Sequence, residues 1–143
     1  MKVAVIGIGA IGGVVGAHLA SKYDDIHFIA RGKTLDAISQ NGIKVIGKNG
    51  TLCAKPASAT DKPEEIGIVD VLIVCTKGYS LETAVKECES IIGENTVILP
   101  LLNGINISDD IKKINSKGVA ADGAIYVFAN IKEPAVISIN ADM

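Results

Sequence analysis

Aromatic side chains are scarce, at 3% of 143 residues, and the formal charge is only −2. A surface that tracks a nucleic-acid strand needs clustered cations interleaved with stacking rings, so no nucleic-acid partner is expected. Cysteine is sparse too: Cys53, Cys75 and Cys88 are odd in number and lack CxxC spacing. That excludes a disulfide framework or a zinc ribbon and leaves buried thiols in a reducing cytoplasm as the expectation. The only histidines, His18 and His27, have no metal-type cluster around them, so both are expected to be structural or solvent-facing and no metal is expected. Uninterrupted apolar runs of membrane-spanning length are also missing. Residues 2–20 mimic a secretory leader, but glycines at 7, 9, 12, 13 and 16 break the run and a single lysine precedes it. Cleavage after Ala20 would also leave bulky His18 where a small residue is needed, so neither a leader nor membrane contact is expected.

What is present suits one compact domain, with 48% apolar and 21% charged residues and enough length to bury a core. Residues 2–6 read as a strand buried on both faces. Residues 10–22 carry apolar side chains at helical spacing (Ile11, Val14, Val15, Leu19), and residues 26–30 read as a second buried strand, completing a βαβ unit. Residues 34–40 suit a short helix closed by Asn41 and Gly42. Strands at 43–46 and 51–54 flank a Lys48-Asn49-Gly50 turn and predict a hairpin insertion. A strand at 69–75, a helix at 81–92, a strand at 96–101, a helix at 108–114 and a strand at 119–127 follow, with 56–63 read as a surface loop. Strands alternating with helices predict an α/β fold, a Rossmann-type doubly wound, mainly parallel sheet whose ligands sit beyond the carboxyl ends of the strands.

The chemistry is concentrated at those ends. Gly7-Ile8-Gly9-Ala10-Ile11-Gly12 is a GxGxxG pattern placed between a strand and a helix, where it cradles the pyrophosphate of a dinucleotide. Gly7 permits the tight turn, Gly9 lets the backbone approach the phosphates, and Gly12 lets helix and strand pack closely. Free amides at the helix start face the anion, aided by the helix dipole. Gly13 and Gly16 are better explained by close packing of the helix on the sheet.

The second strand ends in Ala30-Arg31-Gly32-Lys33, with no carboxylate to take a ribose 2′-hydroxyl. Arg31 offers a planar guanidinium for a 2′-phosphate and Lys33 a second cation, so NADPH is preferred over NADH. Asp24 and Asp25 lie at the wrong end of that strand. Lys77, in Cys75-Thr76-Lys77-Gly78-Tyr79, sits after the third long apolar run and can donate to a ribose hydroxyl or a substrate carboxylate. Asn103, before Gly104, has donor and acceptor capacity to orient a nicotinamide or a substrate, although an Asn-Gly pair also serves a plain turn.

Together these features resemble the ketopantoate reductases, also called 2-dehydropantoate 2-reductases. That family opens on a strand and GxGxxG, places an arginine after the second strand and a lysine after a later one, and follows an Asn-Gly turn with a helix. The matching positions here are Gly7, Gly9, Gly12, Arg31, Lys77, and Asn103 with Gly104. The resemblance implies that residues 1–143 form an NADP-binding domain of a cytoplasmic enzyme that reduces 2-dehydropantoate to pantoate for coenzyme A synthesis. Arg31 would bind the 2′-phosphate, and Lys77 and Asn103 would serve as catalytic residues where cofactor meets substrate. Because the family's general acid is a lysine of a helical second domain, expected to be absent from this chain, the expectation is NADPH binding without turnover. Oligomeric state is left open.

The chain departs from the pattern at Asn106, where the family often has glycine, and at Pro134-Ala135 and Ser138, where it often has Pro-Gly and then histidine. These departures bear on substrate identity, and a reductase of another small 2-keto acid is an alternative. A non-catalytic nucleotide-sensing domain is the other. Such domains more often end the second strand in an acid, which Arg31 weighs against.

Overall fold

The computed structural model describes residues 1–140; the last three residues of the expected 1–143 domain lie outside them. Six strands form a wholly parallel sheet in the order β5-β2-β1-β6-β7-β8. They are β1 (Val3–Ile6), β2 (Ile26–Ile29), β5 (Ser58–Thr60), β6 (Val71–Val74), β7 (Val97–Pro100) and β8 (Val119–Ala120). A second sheet, ordered β4-β3-β10-β9, comprises β3 (Ile43–Gly47), β4 (Gly50–Ala54), β9 (Ala129–Glu133) and β10 (Val136–Ile139). The helices are α1 (Ala10–Ala20), α2 (Gly32–Asn41), α3 (Leu81–Glu87) and α4 (Ile107–Ile114). Among the described residues, no helix is long and apolar enough to cross a membrane.

The alternation of side chains along each parallel strand feeds two cores. Ala4 and Ile6 of β1 face a cluster with Leu72, Val74, Val85, Ile98 and Ile111, which α3 and α4 cover. Val3 and Val5 face the other way, into a cluster with Val14, Ala17, Phe28, Ile43, Val45 and Ile137. Helix α1 lies between the two sheets, and its glycines make that possible. A Cβ on Gly16 would come within 2.7 Å of the Phe28 ring, and one on Gly13 would run into Ile137 of the second sheet. Close packing therefore accounts for both glycines, although Gly13 packs against the second sheet and not the first.

The structure corrects several expectations. The 43–54 hairpin is no isolated insertion, because β3 pairs in parallel with β10 and joins it to the chain's last strands. The 56–63 loop contains β5, an edge strand on β2. His27 ties it down: Nδ1 lies 2.8 Å from Ser58 Oγ, and Nε2 lies 2.8 Å from Asp25 Oδ1. That contact with His27 holds the exposed Asp25 carboxyl below its ordinary value. The 81–92 helix ends at Glu87 and tightens into a 3-10 turn, and the 119–127 strand stops at Ala120, leaving residues 121–128 without regular pairing. Only Cys88 is fully buried; Cys53 is exposed on β4 and Cys75 is half-buried, against the expectation of three buried thiols.

Candidate functional site

All six strands of the first sheet run the same way, so the segments after β1, β2, β6 and β7 emerge along one edge. From β1 the chain proceeds to β2 and β5 on one side and to β6, β7 and β8 on the other. The crevice between β1 and β6 is thus the topological switch point, where open α/β sheets bind their ligands.

The glycine loop is shaped by that crevice. Gly7 has φ +87°, and a Cβ there would lie 2.7 Å from the Cys75 carbonyl carbon and 2.8 Å from the Thr76 nitrogen. Glycine is thus needed for the turn and also for the close approach of the β6 end. A Cβ on Gly12 would overlap the Gly7 carbonyl and meet Cys75 Cβ at 3.1 Å. Gly9 differs, because among the described residues nothing lies within 4 Å of where its Cβ would be; the space it leaves faces outward. Gly9 also precedes α1 without any side-chain cap, and its carbonyl takes the first helical bond, from the Gly13 amide at 2.9 Å. Helix geometry leaves the amides of Ala10, Ile11 and Gly12 without an intrahelical acceptor, a ready seat for an anion.

Two cavities flank this loop. The smaller, about 310 Å³, lies on the β2 side and includes Gly7, Ile8, Ala30, Arg31, Thr34 and Glu87 in its wall. The larger, about 750 Å³, lies on the β7 side and takes in Gly7, Ile8, Gly9, Ala10 and Ile11 together with Lys77 and Asn103. Thr76 and Ser80 belong to both. The Thr76 hydroxyl is buried and has no hydrogen-bond partner among the described residues, a polar atom poised for a ligand.

The structure therefore brings Arg31, the glycine loop, Lys77 and Asn103 to one edge of the sheet. Lys33 is exposed in the first turn of α2 and lines neither cavity, and Gly12 is buried under the loop, where it serves packing. Arg31 immediately precedes α2, and its guanidinium forms an ion pair with Glu87, the last residue of α3. Hydrogen bonding to that carboxylate raises the Arg31 pKa further. Burial pushes the Cys75 thiol, in the larger cavity, up to about 12.

Sequence reasoning missed Thr34, Thr76, Ser80, Thr83 and Glu87 in the smaller cavity, and residues 125–128 in the larger. A signal for part of this set existed. Positions 80, 83, 84 and 87 stand at i, i+3, i+4 and i+7, one face of a helix, and they carry small or polar side chains directly after a strand end.

The family profile described as ketopantoate reductase PanE/ApbA matches residues 3–142. A 2-dehydropantoate 2-reductase from Mesorhizobium japonicum is 35% identical over 106 residues, which are 73% of this chain and 32% of that protein. The structure of a 2-dehydropantoate 2-reductase from Porphyromonas gingivalis W83 superposes with a TM-score of 0.89 at 37% identity, covering 100% of this chain and 52% of that one. A ternary structure of D-mandelate dehydrogenase with NADH and anilino(oxo)acetate superposes at 0.86 with 26% identity, over 99% of this chain and 46% of that one. The chain spans 32–44% of the length of curated relatives that it matches.

Proposed function

The chain belongs to the ketopantoate reductase PanE/ApbA family, and from that premise we propose that it is the NADPH-binding part of a cytoplasmic 2-dehydropantoate 2-reductase. One observation carries the reading: the uncapped start of α1 and the open space at Gly9 stand at the sheet's switch point, between cavities walled by Arg31 on one side and Lys77 with Asn103 on the other. The unpartnered Thr76 hydroxyl and the room at Gly9 fit a dinucleotide laid across the loop.

In this arrangement the amides of Ala10 and Ile11 would hold the pyrophosphate, and Arg31 with the start of α2 would receive the 2′-phosphate. The bound nicotinamide supplies a hydride to a ketone carbon. Lys77 and Asn103, on the β6 and β7 ends, orient the ring and the carboxylate of the keto acid, and the Lys77 charge favours the alkoxide that develops. The relatives' additional length is proposed to hold the rest of the substrate pocket and the general acid.

The test combines calorimetric titration of NADPH and NADH with a nicotinamide-band assay in the presence of 2-dehydropantoate. Nucleotide binding with NADPH favoured, and no oxidation by this chain alone, is expected. Failure of both nucleotides to bind overturns the reading; robust oxidation overturns the division of labour. The likeness to D-mandelate dehydrogenase, together with the departures at Asn106, Ala135 and Ser138, favours one second reading, reduction of another small 2-keto acid, which the same assay with a panel of keto acids separates.

A further inference from the structure

The Arg31 guanidinium is not a free receptor for a phosphate, because the Glu87 carboxylate already holds it. Both side chains line the smaller cavity, Arg31 from the start of α2 and Glu87 from the end of α3. Glu87 sits where an anion is least welcome on a helix, at the carboxyl end with its partial negative charge, so its local compensation is the cation across the cavity. Glu87 is the more enclosed partner, with its side chain 31% exposed against 63% for Arg31. Asp61 adds a weaker negative influence on the same guanidinium.

We propose that Glu87 is a specificity-determining residue that competes with the nucleotide 2′-phosphate for Arg31 and so narrows the preference for NADPH over NADH. The inference rests on the dinucleotide reading of the site and adds to it the group that sets its selectivity. A 2′-phosphate brings nearly two negative charges to Arg31. It must displace the Glu87 carboxylate or sit beside it, and either loses part of the attraction that Arg31 supplies. A 2′-hydroxyl faces no such conflict. It donates to the carboxylate while Arg31 stays paired, the role acidic residues play in NAD sites. Arg31 selects for the phosphate, Glu87 selects against it, and the measured preference is the difference between the two.

The experiment measures NADPH and NADH affinities by calorimetry in one buffer for the 143-residue chain and its variants Glu87→Gln, Glu87→Ala, Arg31→Gln and the Arg31→Gln/Glu87→Gln double variant. Glu87→Gln keeps the side chain's shape, and Glu87→Ala is the second arm should the amide pair with Arg31 anew. Either is expected to tighten NADPH by about twofold to fivefold, the range of a partly exposed ion pair, and to leave NADH unchanged or weaker. The gain is expected to vanish when Arg31 is also replaced. Asp61→Asn should move the ratio less. An unchanged or lowered NADPH-to-NADH preference in both Glu87 variants overturns the proposal, and a lowered melting temperature without a change in preference does the same, assigning the pair to structure alone. If no nucleotide binds to any form, the dinucleotide reading falls and this inference falls with it.

Discussion

Arg31 and Glu87 meet across the smaller cavity as an ion pair between the start of one helix and the end of another. Because the Arg31 side chain is 63% exposed, the pair adds little to stability, on the order of 0–1 kcal/mol for such surface contacts. Its weight is expected to fall on ligand choice. Arg31→Asp is expected to lower NADPH affinity by about tenfold or more, the worth of a lost charge-assisted phosphate contact plus a new repulsion, and to change NADH affinity far less. Titration of both nucleotides, with a thermal melt of the same samples, checks both halves of the statement.

The glycines of α1 and its loop divide into two kinds that mutation should separate. Gly9 has empty space at its Cβ position and φ −94°, which any residue adopts. Gly9→Ala should therefore fold with a stability loss of only about 0.5 kcal/mol while blocking backbone approach to the pyrophosphate. Gly16→Ala should do the reverse. Its Cβ would lie 2.7 Å from the ring of Phe28, which is fully buried, so overpacking costs about 1–3 kcal/mol, offset in part by alanine's better helix propensity. Denaturant titrations and nucleotide affinities on both variants give opposite patterns if this is right; loss of affinity in neither removes the phosphate role of Gly9.

How far the molecule could be read in advance depended on where each signal lay. Strands β1, β6 and β7 announce themselves as continuous apolar runs, and β2 as a run broken only by His27, because both faces of a parallel sheet are covered. By contrast β5, three residues with only one parallel neighbour, has a Ser-Ala-Thr sequence that looks like loop. The β3–β10 pairing joins segments far apart in the chain, and no local pattern encodes it. The same holds for the site: the glycine loop, Arg31, Lys77 and Asn103 are visible because each follows a strand end. Glu87 is one carboxylate on a helix until tertiary structure sets Arg31 against it. Residues 125–128 enter the larger cavity from a segment that reads as strand but, among the described residues, forms no regular strand after Ala120.

Two departures from the family pattern coincide with strained backbone. Among the described residues, Asn106 at φ 60° and Ala135 at φ 63° are the non-glycine positions with positive φ, and the resemblance to ketopantoate reductases implies glycine near both. Asparagine tolerates the left-handed region; alanine does so only at a cost of about 1–2 kcal/mol. Ala135 is pinned there, since its carbonyl accepts a 2.9 Å bond from the Lys44 amide and it is 7% exposed. Ala135→Gly is thus expected to stabilise the chain by about 0.5–1 kcal/mol, the relief of strain less the glycine's extra unfolded-state entropy. A rise in denaturant midpoint at unchanged slope is the signature; a fall would show that the bend carries no strain.

The three cysteines should differ in reactivity by their surroundings. Cys53 is exposed, whereas burial pushes the thiols of Cys75 and Cys88 up to about 12 from an ordinary 9.0. With a disulfide reagent at mildly alkaline pH, one thiol should label fast, and Cys53→Ser should abolish that phase. Cys75, which lines the larger cavity, should label slowly and more slowly still with NADPH bound; equal rates with and without nucleotide would place the dinucleotide elsewhere. The same shifts set an alkaline limit. Between pH 9.0 and about 12 the unfolded thiols have lost their protons while the folded ones keep theirs, so the unfolded state binds fewer protons and stability falls as pH rises through that window. Cys88→Ala removes one of those groups at a fixed cavity cost, so its stability deficit relative to the parent chain should shrink from about pH 8 to about pH 11. A deficit that stays constant would mean the Cys88 thiol titrates as freely folded as unfolded.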